Sequence, residues 1–258
     1  MTEVLRLDSV SMAFDRGRDR VCVLQDVSLS VGEGEIVAII GGASQGKTTL
    51  IRLASGLLSP DEGTVRVGDV ALAELRDRQR QHILATDIGL AMGTGPAMRA
   101  SVREYVEMKA AASKKGWRRL YSKRERRDMT TAILDELGIT ECADMRWEHV
   151  SDWQRVLAEL AQAMVVSPRL LLIDDLGSAF GLRQKQILMA FLEDFAREGM
   201  CSVLMAVSDE ASALRSAQVW RLHRRRLKLM AIHTDADVEP GGDVIPMRRA
   251  DAGGGSGR

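Results

Sequence analysis

The stretch Gly41-Gly42-Ala43-Ser44-Gln45-Gly46-Lys47-Thr48, followed by Thr49, decides the fold of this chain because it fits the pattern GxxxxGK[ST]. It follows the apolar run EIVAII at 35–40 and leads into a helix predicted over 47–57. In such a P-loop the glycines let backbone N–H groups curl around phosphate oxygens, and the lysine reaches the β- and γ-phosphates. The sequence therefore predicts a nucleotide site, and the alternative is a glycine-rich turn without a ligand. The predicted nucleotide-binding residues of this loop are Gly41, Gly42, Ala43, Ser44, Gln45, Gly46, Lys47, Thr48 and Thr49.

A second motif supplies the carboxylate that a magnesium ion needs beside a P-loop. The run LLLIDD at 170–175 is a short apolar strand that ends in Asp174 and Asp175. In P-loop proteins an aspartate on a neighbouring strand and the hydroxyl after the lysine hold magnesium. We therefore predict that Thr48 and Asp174 are the protein ligands of Mg²⁺. An apolar strand ending in aspartate is common by itself, and the P-loop makes the pair specific.

The order of predicted elements indicates an α/β fold. Two continuous apolar runs, LLLI at 170–173 and SVLMAV at 202–207, are typical of buried parallel strands, and a helix is predicted between them over 183–197. Apolar residues at helical spacing predict another helix over 151–166. The first part of the chain favours short strands joined by hairpins. These strands are expected at 5–7, 23–31, 35–40 and 64–69, with a hairpin turn at 32–34.

Composition is that of a soluble globular protein. The chain has 258 residues, 45% hydrophobic and 28% charged, and its 36 Lys plus Arg balance its 36 Asp plus Glu. Zero net charge gives no overall attraction to nucleic acid or membranes, so any such attraction must be local. No apolar run approaches the ~18 residues of a spanning helix, and the opening MTEVLRLDSV lacks the pattern of a secretory signal. We therefore expect a cytoplasmic protein whose contact with a membrane depends on a partner.

With its two motifs, the chain resembles the ATPase subunit of an ABC transporter over about residues 3–230. The run IGLAMG at 88–93 resembles the family's Q-loop strand, and VSDWQ at 150–154 occupies the place of its LSGGQ signature. The run AVSD at 206–209 looks like the family's switch strand. Two stretches, DVSLSVGEGEIVAIIG at 26–41 and DEGTVRVGDVALAELRDRQRQ at 61–81, are most similar to the subclass that serves lipoprotein-releasing and macrolide-exporting permeases.

The resemblance implies an α/β P-loop NTPase of the ABC ATPase type, with a mixed β core, an antiparallel β subdomain and a helical subdomain at about 94–166. The ATPase domain is expected over 1–237, and the glycine-rich tail 238–258 is expected to be disordered. ATP and Mg²⁺ are the implied ligands, and Phe14 would stack on adenine unless it is an ordinary core residue. The implied partners are a membrane permease and a second ATPase, either another copy or a different chain. The implied location is peripheral, on the inner face of the plasma membrane.

Several positions depart from the family pattern in ways that affect hydrolysis. Asp175 stands where the family has a glutamate that polarises the attacking water, and its side chain is one methylene shorter. A general base must lie within about 2.6–3.2 Å of its proton, and its loss forfeits roughly 10²–10⁴ in rate. Ser208 replaces the switch histidine, Gly93 the Q-loop glutamine, and Gly181 the D-loop aspartate. We therefore predict that Asp175 and Ser208 are weak catalytic residues and that hydrolysis is slow.

The signature motif departs further. In the family its serine and glycine backbone grip the γ-phosphate bound by the other subunit, but here Asp152 and Trp153 replace both glycines. A carboxylate about 4 Å from a phosphate charge costs on the order of 1–4 kcal/mol, and the indole would also hold the backbone away. Ser151 and Gln154 form an S-x-x-Q capping box, so the motif is open to a second interpretation as a plain helix start.

Two basic segments lie outside these motifs. Residues 113–127 carry eight basic residues and one acidic residue, with Trp117 and Tyr121 between them. Such a segment can contact anionic lipid headgroups, a permease or single-stranded nucleic acid, or it can be a solvated helical face. The resemblance favours the membrane side and disfavours nucleic acid. The second segment, at 221–228, predicts a surface hairpin.

Two functions fit this sequence. The first is the ATP-binding subunit of a membrane ABC transporter complex that couples ATP binding, with slow hydrolysis, to a separate permease. The second is a catalytically weak ATP-dependent scaffold or regulator, bound to a membrane partner without transport. The departures retain the parts that hold ATP and alter the parts that turn it over. A GTPase is disfavoured because the chain contains no asparagine, so the guanine-reading NKxD motif is impossible.

Overall fold

The computed structural model describes residues 2–93, 95–96, 99–115, 119–176, 180–199, 201–208, 213 and 216–232. The strands are β1 (Glu3–Arg16), β2 (Asp19–Gly32), β3 (Ile36–Ile40), β4 (Glu62–Val67), β5 (Val70–Ala71), β6 (Ile88–Ala91), β7 (Lys114–Lys115), β8 (Arg119–Leu120), β9 (Leu170–Asp174), β10 (Ser202–Val207), β11 (Gln218–His223) and β12 (Arg226–Ile232). The α-helices are α1 (Lys47–Ala54), α2 (Asp77–Thr86), α3 (Val102–Ala112), α4 (Lys123–Glu136), α5 (Asp152–Met164) and α6 (Leu182–Arg197). The predicted tail 238–258 lies outside the described residues.

A six-stranded sheet in the order β12-β11-β3-β10-β9-β6 forms the centre of the fold. Strands β11, β3, β10, β9 and β6 are parallel, and β12 is antiparallel to β11. The apolar runs at β9 and β10 are therefore buried parallel strands, as predicted, because both faces of such a sheet are covered. The carboxyl ends of parallel strands meet at one edge. The P-loop after β3, Asp175 after β9 and Ser208 after β10 consequently lie at the same edge of the sheet.

A second, antiparallel sheet in the order β2-β1-β4-β5 is built from the first part of the chain. Its strands β1 and β2 have 14 residues each and form a long hairpin with several register shifts. The hairpin predicted at 32–34 is wrong. Strand β2 pairs with β1, whereas β3 pairs with β10 and β11, so this turn carries the chain from one sheet to the other. Gly34 makes the turn at a φ of +70°, which favours glycine.

The structure differs from the sequence expectations at one predicted helix and at the basic segment 113–127. Helix α1 ends at Ala54 and not at Leu57, because Gly56 adopts a φ of +76° and its N–H bonds the carbonyl of Leu53. The basic segment 113–127 is not one helical face, since β7 and β8 pair as a short hairpin and α4 begins only at Lys123. The surface hairpin predicted at 221–228 is confirmed by the pairing of β11 with β12.

Alternate residues of the central sheet pack into two hydrophobic clusters. In β3, Ile36, Ala38 and Ile40 pack with helices α3, α4, α5 and α6, whereas Val37 and Ile39 pack with α1 and the antiparallel sheet. This period of two places helices α3, α4, α5 and α6 on one face of the central sheet, and α1 with the second sheet on the other. The α/β fold with an antiparallel sheet is confirmed, while the domain bounds 1–237 and 94–166 stay predictions. No helix within the described residues is both long enough and apolar enough to span a membrane.

Candidate nucleotide-binding site

The P-loop joins β3 to α1 and needs glycine at two positions for different reasons. Gly46 is the N-cap of α1 at a φ of +102°, and a Cβ atom there would lie 2.9 Å from Val23 Cγ1. A Cβ atom on Gly41 would lie 2.8 Å from the carbonyl oxygen of Leu222 in β11. Real Cβ atoms do not approach other atoms so closely, so both positions exclude larger residues. The loop is therefore packed tightly against β2 on one side and β11 on the other.

Lys47 is buried in this loop, with an exposed fraction of only 8%. Its Nζ donates hydrogen bonds to the carbonyl oxygens of Gly41 at 2.5 Å and Gly42 at 3.1 Å. An ammonium group has three donors, so one N–H is left for another acceptor. The lysine thus spans its own loop and presents a positive charge in the cleft that the loop lines.

The cleft beside the P-loop has a volume of about 590 Å³, within the range of small-molecule sites. It brings together most of the predicted site residues with three that the sequence did not single out for nucleotide contact: Val23, Met92 and Gly93. The predicted residues that line it are Phe14, Ala43, Ser44, Gln45, Gly46, Lys47, Thr48, Thr49, Asp174 and Asp175. Gly41 and Gly42 instead line a smaller adjoining cavity of about 210 Å³ together with Ser208.

Phe14 lies on β1, opposite Val21 of β2, with 38% of its surface exposed. The alternative that it is an ordinary core residue is wrong, because it belongs to neither hydrophobic cluster and lines the cleft. A large aromatic ring that stays half-exposed beside a phosphate loop offers a flat apolar face to a base. Its stacking on adenine stays a prediction.

The predicted magnesium ligands, Thr48 and Asp174, line the same cleft. A hydroxyl and a carboxylate are hard oxygen donors of the kind that Mg²⁺ prefers. The described residues contain no group of three or more His, Cys, Asp or Glu side chains placed to hold a metal ion. A magnesium ion here fits the pattern in which one or two protein oxygens are completed by water and nucleotide phosphates.

Asp175 and Ser208, the two predicted catalytic residues, are hydrogen-bonded to each other. The Ser208 hydroxyl donates to Asp175 Oδ1 at 2.6 Å, and the Asp175 N–H donates to the carbonyl of Ala206 at 2.9 Å. Asp175 also has a φ of +52°, a region that aspartate tolerates better than most residues. Both the side chain and the backbone N–H of Asp175 are therefore hydrogen-bonded to the end of β10, and one carboxylate oxygen already accepts a hydrogen bond.

The segment 150–154, predicted to stand in place of the signature, begins helix α5 with a capping box. Ser151 Oγ accepts from the Gln154 N–H at 3.3 Å, and Gln154 Oε1 accepts from the Ser151 N–H at 2.9 Å. Asp152 is exposed and pairs with Arg155 at 3.0 Å. Trp153 turns toward its own chain and packs edge-on against Phe180 at 5.4 Å. The helix-start interpretation is confirmed, and contact with a second subunit's nucleotide stays a prediction.

Gly181, predicted to stand at the position of the D-loop aspartate, is the N-cap of α6 and has no side chain to cap that helix. A Cβ atom there would meet no atom within 4 Å. The glycine is therefore not required by packing among the described residues, and nothing in the structure explains the departure at this position.

Glu159 on α5 is a site residue that the sequence reasoning missed. Only 5% exposed, its carboxylate accepts the N–H groups of Gly93 at 2.6 Å and Gly95 at 3.0 Å. Burial raises the pKa of Glu159, and the two N–H groups oppose that rise. Since Gly93 lines the nucleotide cleft, Glu159 ties the signature helix to the cleft wall. In the sequence, this role was indicated only by the position of an acidic residue between the apolar residues Ala158 and Leu160 of α5.

We expect Glu159→Leu to release this loop. The substitution leaves two N–H groups without an acceptor, at about 1–3 kcal/mol for each buried unsatisfied group, so amide exchange at Gly93 and Gly95 should accelerate roughly 5–150-fold. Glu159→Gln keeps one carbonyl acceptor and should give an intermediate rate. Hydrogen exchange read by NMR or mass spectrometry is the measurement, with Asp152→Asn on the same helix as control. Equal rates in wild type and Glu159→Leu would contradict the role assigned to this carboxylate.

This chain is similar in sequence to known ATP-binding proteins, in agreement with a nucleotide site at the P-loop. A family profile described as ABC transporter matches residues 24–177. The methionine import ATP-binding protein MetN 2 of Rhodococcus jostii is 29% identical over 232 residues, covering 86% of this chain and 66% of that protein. The lipoprotein-releasing system ATP-binding protein LolD of Cereibacter sphaeroides is 30% identical over 229 residues, covering 88% of this chain and 100% of that protein.

Solved structures show the same fold. A dimeric ATP-binding cassette in a post-hydrolysis state, bound to ADP and Pi, superposes with a TM-score of 0.81 at 21% identity, covering 89% of this chain and 99% of that one. The predicted ABC ATPase type of P-loop NTPase is thus confirmed. The relatives include lipoprotein-releasing and macrolide-export ATP-binding proteins, and import ATP-binding proteins match at nearly equal identity, so the predicted subclass is carried by the stretches 26–41 and 61–81.

Proposed function

This chain belongs to the ABC transporter family, and from that membership we propose that it is the ATP-binding subunit of a membrane transporter complex. In this proposal ATP binding, with slow hydrolysis, drives a separate permease. The observation that carries it is the cleft in which the P-loop, Asp174 and Phe14 converge. A cleft of about 590 Å³ has room for one nucleotide.

Each side of the cleft has a distinct part in holding Mg-ATP. The free N–H groups at the start of α1 and the helix dipole favour phosphate oxygens. Lys47 adds a buried positive charge that does not have to be ordered on binding, because Gly41 and Gly42 already hold it. Thr48 and Asp174 would hold Mg²⁺, which screens the phosphate charges when bound. Phe14 would cover the base.

Slow hydrolysis follows from the residues at the end of β9 and β10. Asp175 accepts a hydrogen bond from Ser208 at 2.6 Å, so one of its carboxylate oxygens is occupied and the direction of the side chain is fixed. Ser208 offers one hydroxyl where the family has an imidazole. Gly93 has no side chain with which to order a water molecule. The proposal is therefore that this chain binds ATP well and turns it over poorly.

We expect purified protein to bind Mg-ATP while releasing phosphate slowly, both measured in the same samples. Asp175→Glu alone should change the release rate by less than about tenfold, because Ser208 and the signature remain altered. Asp69→Glu, an equivalent change on an exposed turn, is the matched control. A gain of about 100-fold or more in Asp175→Glu would show that the missing methylene alone limits hydrolysis.

A second candidate function, an ATP-dependent scaffold or regulator without transport, is favoured by the bond between Asp175 and Ser208. Because Asp175 is hydrogen-bonded to Ser208 and is not free to activate water, this site can hold ATP as a structural ligand. The two functions differ in the response to a permease. Reconstitution of the chain with its membrane partner should raise phosphate release severalfold in a transporter subunit and leave it unchanged in a scaffold.

The proposed partners are a membrane permease and a second ATPase chain, either identical or different, at the inner face of the plasma membrane. Anionic lipid contact through 113–127 is part of this proposal. Deleting that segment would also remove Ser113, whose buried hydroxyl bonds the carbonyls of Ala85 and Lys109, and Ser122, which caps α4. Substitution is therefore a cleaner test than deletion.

We expect the combined change of Lys114, Lys115, Lys123 and Arg124 to glutamine to weaken binding to phosphatidylglycerol vesicles by at least tenfold. The reason is that each basic residue near an anionic surface contributes about 1 kcal/mol. Cosedimentation is the measurement, and phosphatidylcholine vesicles are the control. Unchanged cosedimentation of the fourfold variant would leave this segment as a solvated surface.

A further inference from the structure

A basic hairpin tip lies beside the P-loop without belonging to the nucleotide cleft. Strand β11 is parallel to β3, so the β11–β12 turn emerges at the same sheet edge as the P-loop. His223 pairs with Arg226, which leaves Arg224 and Arg225 as a two-residue turn. The Gln25 N–H donates to the carbonyl of Arg225 at 2.8 Å and fixes the turn against β2. The position of the tip is therefore determined by two strands.

A cavity of about 610 Å³ lies between this tip and the P-loop. Its described lining comes from three elements and contains no acidic residue. The lining residues are Val21, Cys22, Val23 and Gln25 of β2, Ser44 and Gln45 of the P-loop, and His223, Arg224 and Arg225 of the hairpin. Both arginines are exposed, and no described side chain forms an ion pair with either. Two guanidinium groups therefore line this cavity, and no acidic side chain among the described residues pairs with them.

The turn itself is strained. Arg224 and Arg225 have φ values of +48° and +71°. Two-residue hairpins with positive φ at both central positions favour Asn-Gly, because residues with larger side chains lose about 1–2 kcal/mol each in the left-handed region. Arginine at both positions is unfavourable for folding, and such strain concentrates at binding sites. The strain and the unbalanced charge are independent observations on the same two residues.

We propose that this cavity binds a small polyphosphorylated ligand, in addition to the nucleotide bound in the neighbouring cleft. Guanidinium groups bind phosphate oxygens in pairs through parallel N–H donors, and two adjacent arginines suit two linked phosphates better than one. The hydroxyl of Ser44 and the amide of Gln45 add neutral donors on the opposite wall. The apolar side chains of Val21 and Val23 leave room for a non-polar part of the ligand.

The new site touches the nucleotide cleft through shared residues. Val23, Ser44 and Gln45 line both cavities, whereas Lys47, Thr48 and Asp174 line only the cleft. A ligand in the hairpin cavity would therefore contact the P-loop at Ser44 and Gln45 without using Lys47, Thr48 or Asp174. Binding at one site should affect affinity at the other, and the linkage must be equal in both directions.

The test is calorimetric titration of inorganic tripolyphosphate into protein saturated with Mg-ADP, at constant free magnesium. We expect one equivalent to bind. The variant Arg224→Asn/Arg225→Gly should weaken that binding at least tenfold, and since it installs the turn sequence that this backbone favours, it should fold at least as stably as the wild type. The charge-matched control Arg78→Gln/Arg183→Gln, at exposed positions on α2 and α6, should bind within twofold of wild type.

Each outcome separates this site from its alternatives. Lys47→Ala should no longer bind Mg-ATP but should still bind tripolyphosphate. Arg224→Asn/Arg225→Gly should still bind Mg-ATP but should bind tripolyphosphate weakly. A failure of this proposal can therefore be distinguished from a failure of the proposed nucleotide site. The proposal is wrong if the hairpin variant binds tripolyphosphate as wild type does, or if saturation with Mg-ADP abolishes binding. It is also wrong if the hairpin arginines bind phosphatidylglycerol vesicles but not tripolyphosphate, because the tip would then be a membrane contact.

Discussion

Replacing Lys47 with alanine should lower the affinity for Mg-ATP by at least about 100-fold, or roughly 3 kcal/mol. The lysine is 8% exposed and bonded to the carbonyl oxygens of Gly41 and Gly42, so its charge is desolvated and already positioned in the cleft. A buried ammonium that meets phosphate without reorganisation contributes more than a flexible surface lysine. Equilibrium binding of a fluorescent ATP analogue measures the effect.

Two further variants keep this experiment decisive. Lys47→Met retains the apolar stem and removes only the ammonium group, so it tests the charge even if the alanine variant folds poorly. Lys123→Ala, on the exposed start of α4, should bind Mg-ATP as wild type does. An affinity for Mg-ATP that is unchanged in both Lys47 variants would contradict the assignment of the P-loop as the nucleotide site.

Gly46→Ala should lower the stability of the protein markedly. The new Cβ atom would lie 2.9 Å from Val23 Cγ1 and 3.2 Å from the carbonyl oxygen of Val23, at a φ of +102°. Strained backbone and overpacking together cost on the order of 3 kcal/mol, which corresponds to a Tm lower by roughly 6–12 °C for a protein of this size. Affinity for Mg-ATP should fall about tenfold or more, because the loop must shift to relieve the contact.

Gly42→Ala is the matched control in the same loop. Its Cβ atom would meet only Gln45 Cγ, at 3.8 Å, which is an ordinary van der Waals distance. The Tm should stay within about 2 °C of wild type, as for surface substitutions generally. Differential scanning calorimetry separates the two variants, and equal losses in both would mean that the loop tolerates no side chain for reasons other than these contacts.

The sequence predicted those parts of the fold that depend on contiguous residues. The P-loop, the strand before Asp174 and the helix over 183–197 each have a local pattern, and each is present in the structure. The turn at 32–34 was predicted wrongly because a glycine-rich turn specifies a change of direction and not the strand on the far side. Which strands pair is determined by packing across the whole sheet.

Local sequence patterns could not predict contacts between site residues that lie far apart in the chain. Ser208 and Asp175 are 33 residues apart, and Glu159 and Gly93 are 66 apart, yet both pairs are hydrogen-bonded. The sequence predicted that Asp175, Ser208 and Gly93 depart from the family pattern, but it did not predict their hydrogen-bond partners. Partner choice depends on which strand ends and helix faces meet, and a single sequence carries no direct record of that.

The sequence by itself determined that this chain has the P-loop pattern, and it predicted a magnesium carboxylate and altered hydrolytic positions, because the chemistry of phosphate binding imposes fixed residue types at fixed spacing. Tertiary structure alone decided that Trp153 turns inward to Phe180, that Glu159 holds Gly93, and that Arg224 and Arg225 stand beside Ser44. These contacts arise from parallel strands ending at one sheet edge and from helix α5 packing on that sheet. Side-chain direction and long-range packing, unlike motif spacing, are properties of the folded chain only.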